Sequence, residues 1–79
     1  MKLYLISAGS ARYDTYDSAV VAAKTPTLAR HTHPSGEEDI VDTDGETWPT
    51  DPTAVSVVYL GSAKRGTKPG VICASFNAG

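Results

Sequence analysis

The sequence predicts an α+β fold, a small antiparallel sheet of four or five strands with one short helix packed on one face, in a ββαββ-like order. The chain has 79 residues, which suits a single domain with one core. Its strongest apolar segments are short runs separated by turn-forming residues. A Thr-Pro pair after the second run is typical of a helix start, and the short connections favour antiparallel pairing.

The first two apolar runs predict the first two strands. Residues 3–6 combine aromatic and aliphatic side chains, a composition typical of strands. Small, flexible residues follow at positions 7–10 and indicate a turn. Residues 16–23 have a β-branched centre and are too few for a convincing helix, so a second strand is expected.

The helix is predicted to begin at Pro26, with Thr25 as its N-cap. A Thr hydroxyl accepts a hydrogen bond from a backbone N–H of the first turn, and proline suits the first helical position. Pro34 must end the helix, which leaves about two turns. A helix this short is not stable alone, so we expect Leu28 to face the sheet and hold the helix there.

Residues 35–52 predict a long acidic loop with apolar anchors at Ile40, Val41 and Trp48. The Asp44-Gly45 pair is a turn signal that could close a small hairpin between residues 40–41 and 47–48. Burial of the Trp48 indole would tether this loop to the rest of the domain.

Two further runs, residues 55–60 and 71–76, predict the last two strands, with the basic, Gly- and Pro-containing residues 64–70 joining them as a hairpin. A face assignment can be wrong by one residue in each strand. With that reservation, the predicted core is Leu3, Leu5, Val20, Ala22, Leu28, Val55, Val57, Tyr59, Ile72 and Ala74.

Composition excludes several classes. Cys73 is the only cysteine, so no disulfide can form within the chain, and a lone thiol in an apolar run favours a reducing compartment. The longest apolar run, residues 19–23, is far shorter than a membrane span. The first residues do not resemble a signal peptide. We therefore expect a soluble cytoplasmic protein.

Charge is distributed unevenly along the chain. Residues 31–63 hold seven of the nine acids and no Lys or Arg, a local charge of −7, whereas the remainder carries +5. The overall charge of −2 argues against general nucleic-acid binding. The acidic block itself is suited to meeting a basic surface on another molecule.

Metal binding and catalysis are the weaker alternatives. His31 and His33 could share a face in an extended segment, but a zinc site needs further ligands. The acids at positions 42, 44 and 46 reproduce only a fragment of a calcium loop. Cys73 has no recognisable base near it in sequence and is expected to be a small core residue. We therefore expect exposed histidines at the helix end, no cofactor, no metal and no enzymatic activity.

A repeated Tyr-Asp pair precedes the second strand, at Tyr13-Asp14 and Tyr16-Asp17. Tyrosine is enriched at interfaces because it offers a large contact area at low entropic cost. The alternative is that a tyrosine packs on the sheet edge while the aspartates cap turns.

These features resemble a family of small phage and prophage proteins. The resemblance covers most of the chain, and its most specific parts are the Tyr-Asp repeat and the ending Ala-Ser-Phe-Asn-Ala-Gly at residues 74–79. Within that family the sequence is most similar to anti-CRISPR proteins directed at a type I-C surveillance complex. The resemblance supplies no catalytic motif.

The resemblance implies a protein of the bacterial host cytoplasm that binds a type I CRISPR-Cas surveillance complex (Cascade) and blocks target-DNA binding without catalysis. The partner would be a subunit with a basic DNA-binding surface, with no direct nucleic-acid or membrane binding, and the protein itself a monomer or weak dimer. The candidate partner-binding residues are Glu37, Glu38, Asp39, Asp42, Asp44, Glu46, Trp48, Tyr13, Asp14, Tyr16 and Asp17.

Two other functions stay open. One is a phage accessory or structural protein with a protein-interaction surface. The other is a nucleic-acid binder that uses Lys64, Arg65 and Lys68. Three basic residues release few counterions, so such binding should vanish near physiological salt.

Overall fold

The computed structural model describes residues 1–9, 13–36 and 38–78. The elements, in chain order, are β1 (Lys2–Ala8), β2 (Thr15–Ala23), α1 (Pro26–Arg30), two 3-10 helices (Ile40–Asp42 and Pro52–Ala54), β3 (Val55–Ser62) and β4 (Gly70–Asn77). All strand pairs are antiparallel, and α1 packs against the sheet. The predicted α+β fold is confirmed, with four strands.

The strand order is β3-β1-β2-β4. β1 and β2 form the central hairpin, while β3 pairs with the outer side of β1 and β4 with the outer side of β2. The predicted hairpin between β3 and β4 is therefore wrong, because these strands form the two opposite edges. Edge-to-edge separation is about 14 Å at normal strand spacing, and the connection at 63–69 is long enough to cross it.

The core lies on one face of the sheet, beneath α1 and the residues that follow it. Its buried hydrophobic members are Tyr4, Ile6, Ala19, Val21, Ala23, Ala29, Ile40, Trp48 and Val55. Ile40 and Trp48 are 0% and 2% exposed, which confirms them as anchors of the acidic loop, whereas the third predicted anchor, Val41, is wrong because its side chain is exposed. A sheet with one covered face is a common antiparallel arrangement.

The predicted core face was wrong for β1 and β2. Leu3, Leu5 and Val20 point away from the core and are only partly buried, while their neighbours Tyr4, Ile6 and Val21 fill it. Both strands are apolar on both faces, so their pattern does not reveal which face is covered, and a shift of one residue exchanges the faces.

The rest of the predicted core is only partly confirmed. Val55 and Ala22 are buried and Val57 packs against the core, as expected. The other predicted members are exposed: Leu28, Tyr59, Ile72, Ala74 and the cysteine Cys73. For Leu28 the reason is that the single helical turn buries Ala29 instead. For the rest, β3 and β4 are edge strands with fewer neighbours over them.

The predicted helix start is confirmed, since Thr25 Oγ1 accepts a hydrogen bond from the N–H of Leu28 at 3.2 Å and Pro26 follows the cap. The helix ends at Arg30, before reaching two turns. The predicted small hairpin is wrong, because residues 40–42 form a 3-10 helix and residues 43–48 form no strand. Among the described residues, no helix has the length and apolar character needed to cross a bilayer.

Candidate protein-binding surface

The acidic segment, defined here as residues 38–51, is fixed to the domain at several points. Its two buried anchors are Ile40 and Trp48. The N–H of Ile40 donates to the carbonyl oxygen of His31 at 3.1 Å, and the N–H of Tyr16 in β2 donates to that of Thr47 at 3.0 Å. The segment therefore presents its charges from defined positions, which reduces the entropy lost on binding.

Three of its carboxylates also build the local backbone. Asp39, Asp44 and Asp51 accept hydrogen bonds from the N–H groups two residues later, at 3.1, 2.9 and 2.9 Å. Asp39 and Asp51 thereby cap the two 3-10 helices. Such caps satisfy backbone donors that the helix leaves unpaired.

These hydrogen bonds favour the ionised carboxylates. The N–H of Val41, and then the ring of His31 at 3.0 Å, lower the pKa of Asp39 below its ordinary value. The N–H and hydroxyl of Thr53 lower the pKa of Asp51 in the same way. Both groups therefore keep their negative charge when the surroundings become moderately acidic.

The other three carboxylates are free for a partner. Glu38, Asp42 and Glu46 are exposed, and over the described ranges none of their carboxylates forms a hydrogen bond or an ion pair. The nearest basic residue in sequence, Arg30, instead donates from Nη1 to the carbonyl oxygen of Val55 at 2.7 Å. No described Lys or Arg pairs with the segment's acids, so their negative potential is not cancelled locally.

Part of the segment surrounds a cavity of about 360 Å³, lined by His33, Ser35, Glu38, Asp42, Thr43 and Asp44. His33 is 6% exposed, so its predicted exposure is wrong. Its Nδ1 accepts from the N–H of Ser35 at 3.0 Å, which leaves the proton of the neutral ring on Nε2, 3.5 Å from Thr47 Oγ1. Within the described residues, no three His, Cys, Asp or Glu side chains are grouped to hold a metal ion.

The Tyr-Asp segment is divided between packing and exposure. Tyr13 is 76% exposed. Tyr16 packs edge-on against Phe76 of β4, with ring centroids 4.9 Å apart, and against His33, at 5.9 Å. Tyr16 therefore joins β2 to β4 and to the residues beside the acidic segment, so the two candidate regions meet at this side chain.

The two aspartates of the repeat have different local roles. Asp14 has a φ of 58°, in the left-handed region, and its N–H donates to the carbonyl oxygen of Asn77 at 2.6 Å. Asp17 lies at the β-bulge of β2 and accepts a hydrogen bond from Ser18 Oγ at 3.2 Å. Both side chains are exposed, so both remain available to a partner.

Two of the remaining predicted partner-binding residues are not exposed, described members of the candidate surface. Trp48 lies in the core, so it supports the acidic segment and does not offer its side chain to a partner. Glu37 lies outside the described residues. The basic residues Lys64, Arg65 and Lys68 are exposed in the connection between β3 and β4.

Sequence reasoning missed one surface, the sheet face opposite the core. Its signal was present in β3, where apolar residues occupy both alternating sets of positions over residues 55–60. A strand with one solvated face normally alternates apolar and polar residues.

Comparison with known proteins adds no family to this description. No protein-family profile, curated protein or solved structure matches the chain. The fold class therefore rests on the structure, and the functional interpretation rests on the surface chemistry and the sequence resemblance.

Proposed function

We propose that this protein is a stoichiometric, non-catalytic inhibitor that covers a basic, nucleic-acid-binding surface of a larger protein complex. The specific target proposed is a type I CRISPR surveillance complex of the bacterial host, as the sequence resemblance implies. Binding would keep target DNA from the surface that it must occupy.

The observation that supports the proposal is the set of exposed carboxylates in the acidic segment, with Glu38, Asp42 and Glu46 unpaired among the described residues. A DNA-binding channel is lined with Lys and Arg, which form charge-assisted hydrogen bonds with carboxylates. Because the segment is anchored in the core, the backbone that carries these groups does not have to be ordered during binding.

The interface proposed is mixed, with acids around an aromatic contact. The overall charge of −2 is too low for a protein that imitates DNA by charge alone. Tyr13 offers an exposed aromatic ring in the repeat that contains Tyr16. Aromatic side chains carry much of the binding energy in protein interfaces, while charges at the rim chiefly control association rate and specificity.

The test is target-DNA binding by a purified type I-C surveillance complex to which the protein is added in increasing amounts. We expect DNA binding to fall in proportion to the protein added and to be lost when the inhibitor sites are filled. Unchanged DNA affinity at saturating protein would contradict the proposal and favour the phage accessory function.

A matched pair of double variants identifies the binding face. Asp42→Asn with Glu46→Gln removes two charges from the acidic segment, and Asp14→Asn with Asp17→Asn removes two from the Tyr-Asp segment. We expect the acidic-segment double variant to associate about tenfold more slowly at low salt, with a smaller effect at high salt. If only the Tyr-Asp double variant associates more slowly, the interface lies on the Tyr-Asp segment.

A further inference from the structure

The sheet face opposite the core is organised in rows that cross all four strands. We call it the open face. The strand registers align Ser56, Ser7, Ser18 and Ser75 in one row and Val58, Leu5, Val20 and Cys73 in the next. Leu3 continues the same face beyond the second row, since side chains two residues apart in an uninterrupted strand share a face.

The apolar part of the open face is exposed toward both edges of the sheet. Val58 is 53% exposed and Cys73 is exposed as well, whereas Leu3, Leu5 and Val20 between them are half-buried. The solvated side of an antiparallel sheet is normally polar. A contiguous apolar patch instead marks an interaction surface.

We propose that the open face is an interface for a second copy of this chain, so that two sheets pack face to face. At normal strand and residue spacings, the two rows and the adjoining positions level with Leu3 span a footprint of roughly 400 Å². Two copies would bury on the order of 1,000 Å² of accessible surface, which is at the lower limit for a specific interface. The expected dimer is therefore weak and depends on concentration.

The chemistry of the open face suits a copy of itself. None of the nine side chains in the rows and their continuation is charged, so two copies bring no like charges together at the centre. Each serine hydroxyl can both donate and accept a hydrogen bond, so polar rims can pair. Asp17, which accepts from Ser18, lies beyond the serine row at the edge of the face.

The face-to-face dimer does not depend on the proposed inhibitory function, and it would make the display of the acidic segment bivalent. The acidic segment lies on the opposite side of the sheet from the open face, because its anchors Ile40 and Trp48 belong to the core. A face-to-face dimer would therefore carry two acidic surfaces directed outward, a bivalent arrangement.

The test is sedimentation velocity of the full chain between about 1 μM and 1 mM, the range in which an interface of this size dissociates. We expect the wild-type protein to shift from monomer to dimer as concentration rises. The rate at which a thiol reagent labels Cys73 should fall over the same range, because the thiol lies in the buried row.

Two matched lysine variants provide the control. Val58 on the open face and Val41 on the opposite layer are 53% and 52% exposed, so Val58→Lys and Val41→Lys are equivalent in chemistry and exposure. Val58→Lys should weaken the dimer at least about tenfold, because the interface would bury two unpaired ammonium groups, whereas Val41→Lys should behave like wild type. A wild type that stays monomeric at about 1 mM, or equal effects of the two variants, would overturn the proposal.

Discussion

Trp48 offers the sharpest test of how the acidic segment is held, because its indole stabilises the fold by apolar burial and destabilises it through an unpaired N–H. The indole is 2% exposed and forms part of the core. Its Nε1–H is buried and has no hydrogen-bond partner among the residues that the structure describes. A buried donor without a partner destabilises the folded state by about 1–3 kcal/mol. Trp48→Phe removes that donor while keeping an aromatic ring in place.

The expected change in the free energy of unfolding is small. Replacing the indole by a phenyl ring removes two buried carbons, a loss of about 1.6 kcal/mol at roughly 0.8 kcal/mol for each. Relief of the unpaired N–H returns about 1–3 kcal/mol. We therefore expect the stability of Trp48→Phe to lie between about 0.6 kcal/mol below and about 1.4 kcal/mol above that of wild type. Trp48→Ala, which removes the ring, should lose about 3–5 kcal/mol, comparable to the whole stability of a domain this size.

Urea unfolding followed by far-ultraviolet circular dichroism compares Trp48→Phe with wild type, and the spectrum without urea shows whether Trp48→Ala still folds. The wild type allows a second readout, since Trp48 is its only tryptophan and its fluorescence reports directly on the acidic segment. Coincident transitions from the two methods would show that the segment unfolds together with the sheet. If Trp48→Phe is nearly as destabilising as Trp48→Ala, the reasoning about the unpaired N–H is refuted.

Two further predictions concern the caps. Thr25→Ala removes the hydroxyl that accepts from the N–H of Leu28 and should lower the free energy of unfolding by about 1 kcal/mol. The control Thr27→Ala changes an exposed residue within α1 and should stay within about 0.5 kcal/mol of wild type. Equal losses of the two variants in urea unfolding would contradict the role of Thr25 as the helix cap. Asp39 and Asp51 have a lowered pKa in the folded protein, so their stabilisation is present above the ordinary value of 3.8 and disappears as pH falls through the lower folded pKa. The melting temperature should decline below about pH 4, and Asp39→Asn combined with Asp51→Asn should flatten that decline, whereas an unchanged slope would show that other groups cause it.

Features set by neighbouring residues could be predicted from the sequence. The Thr25-Pro26 pair located the helix start, because a cap and the first helical position depend on adjacent residues only. The strand runs were placed within two residues of the observed ends for the same reason. The acidic character of residues 38–51 and the burial of Trp48 were likewise visible in the sequence.

Features that depend on distant residues could not be predicted from the sequence. The 3-10 helix at Ile40–Asp42 replaces the predicted hairpin, because Asp39 caps it and Ile40 is drawn into the core. The placement of β3 and β4 on opposite edges depends on which sides of the central hairpin are free, and no local pattern reports that. His33 was predicted to be exposed because its partners, Ser35 and Thr47, are set by the path of the loop.

The wrong face assignment and the open face have one physical cause. Leu5 and Val20 on one side of the sheet are about as apolar as Ile6 and Val21 on the other, so burial of either pair releases a similar free energy. The large side chains of the covering layer, Trp48 and Ile40, add the burial that makes one face the core within a single chain. The free-energy gain from covering the second face therefore remains available after these residues fold, and the proposed face-to-face dimer would realise it. A sheet with two apolar faces and one covering layer is the pattern on which that proposal rests.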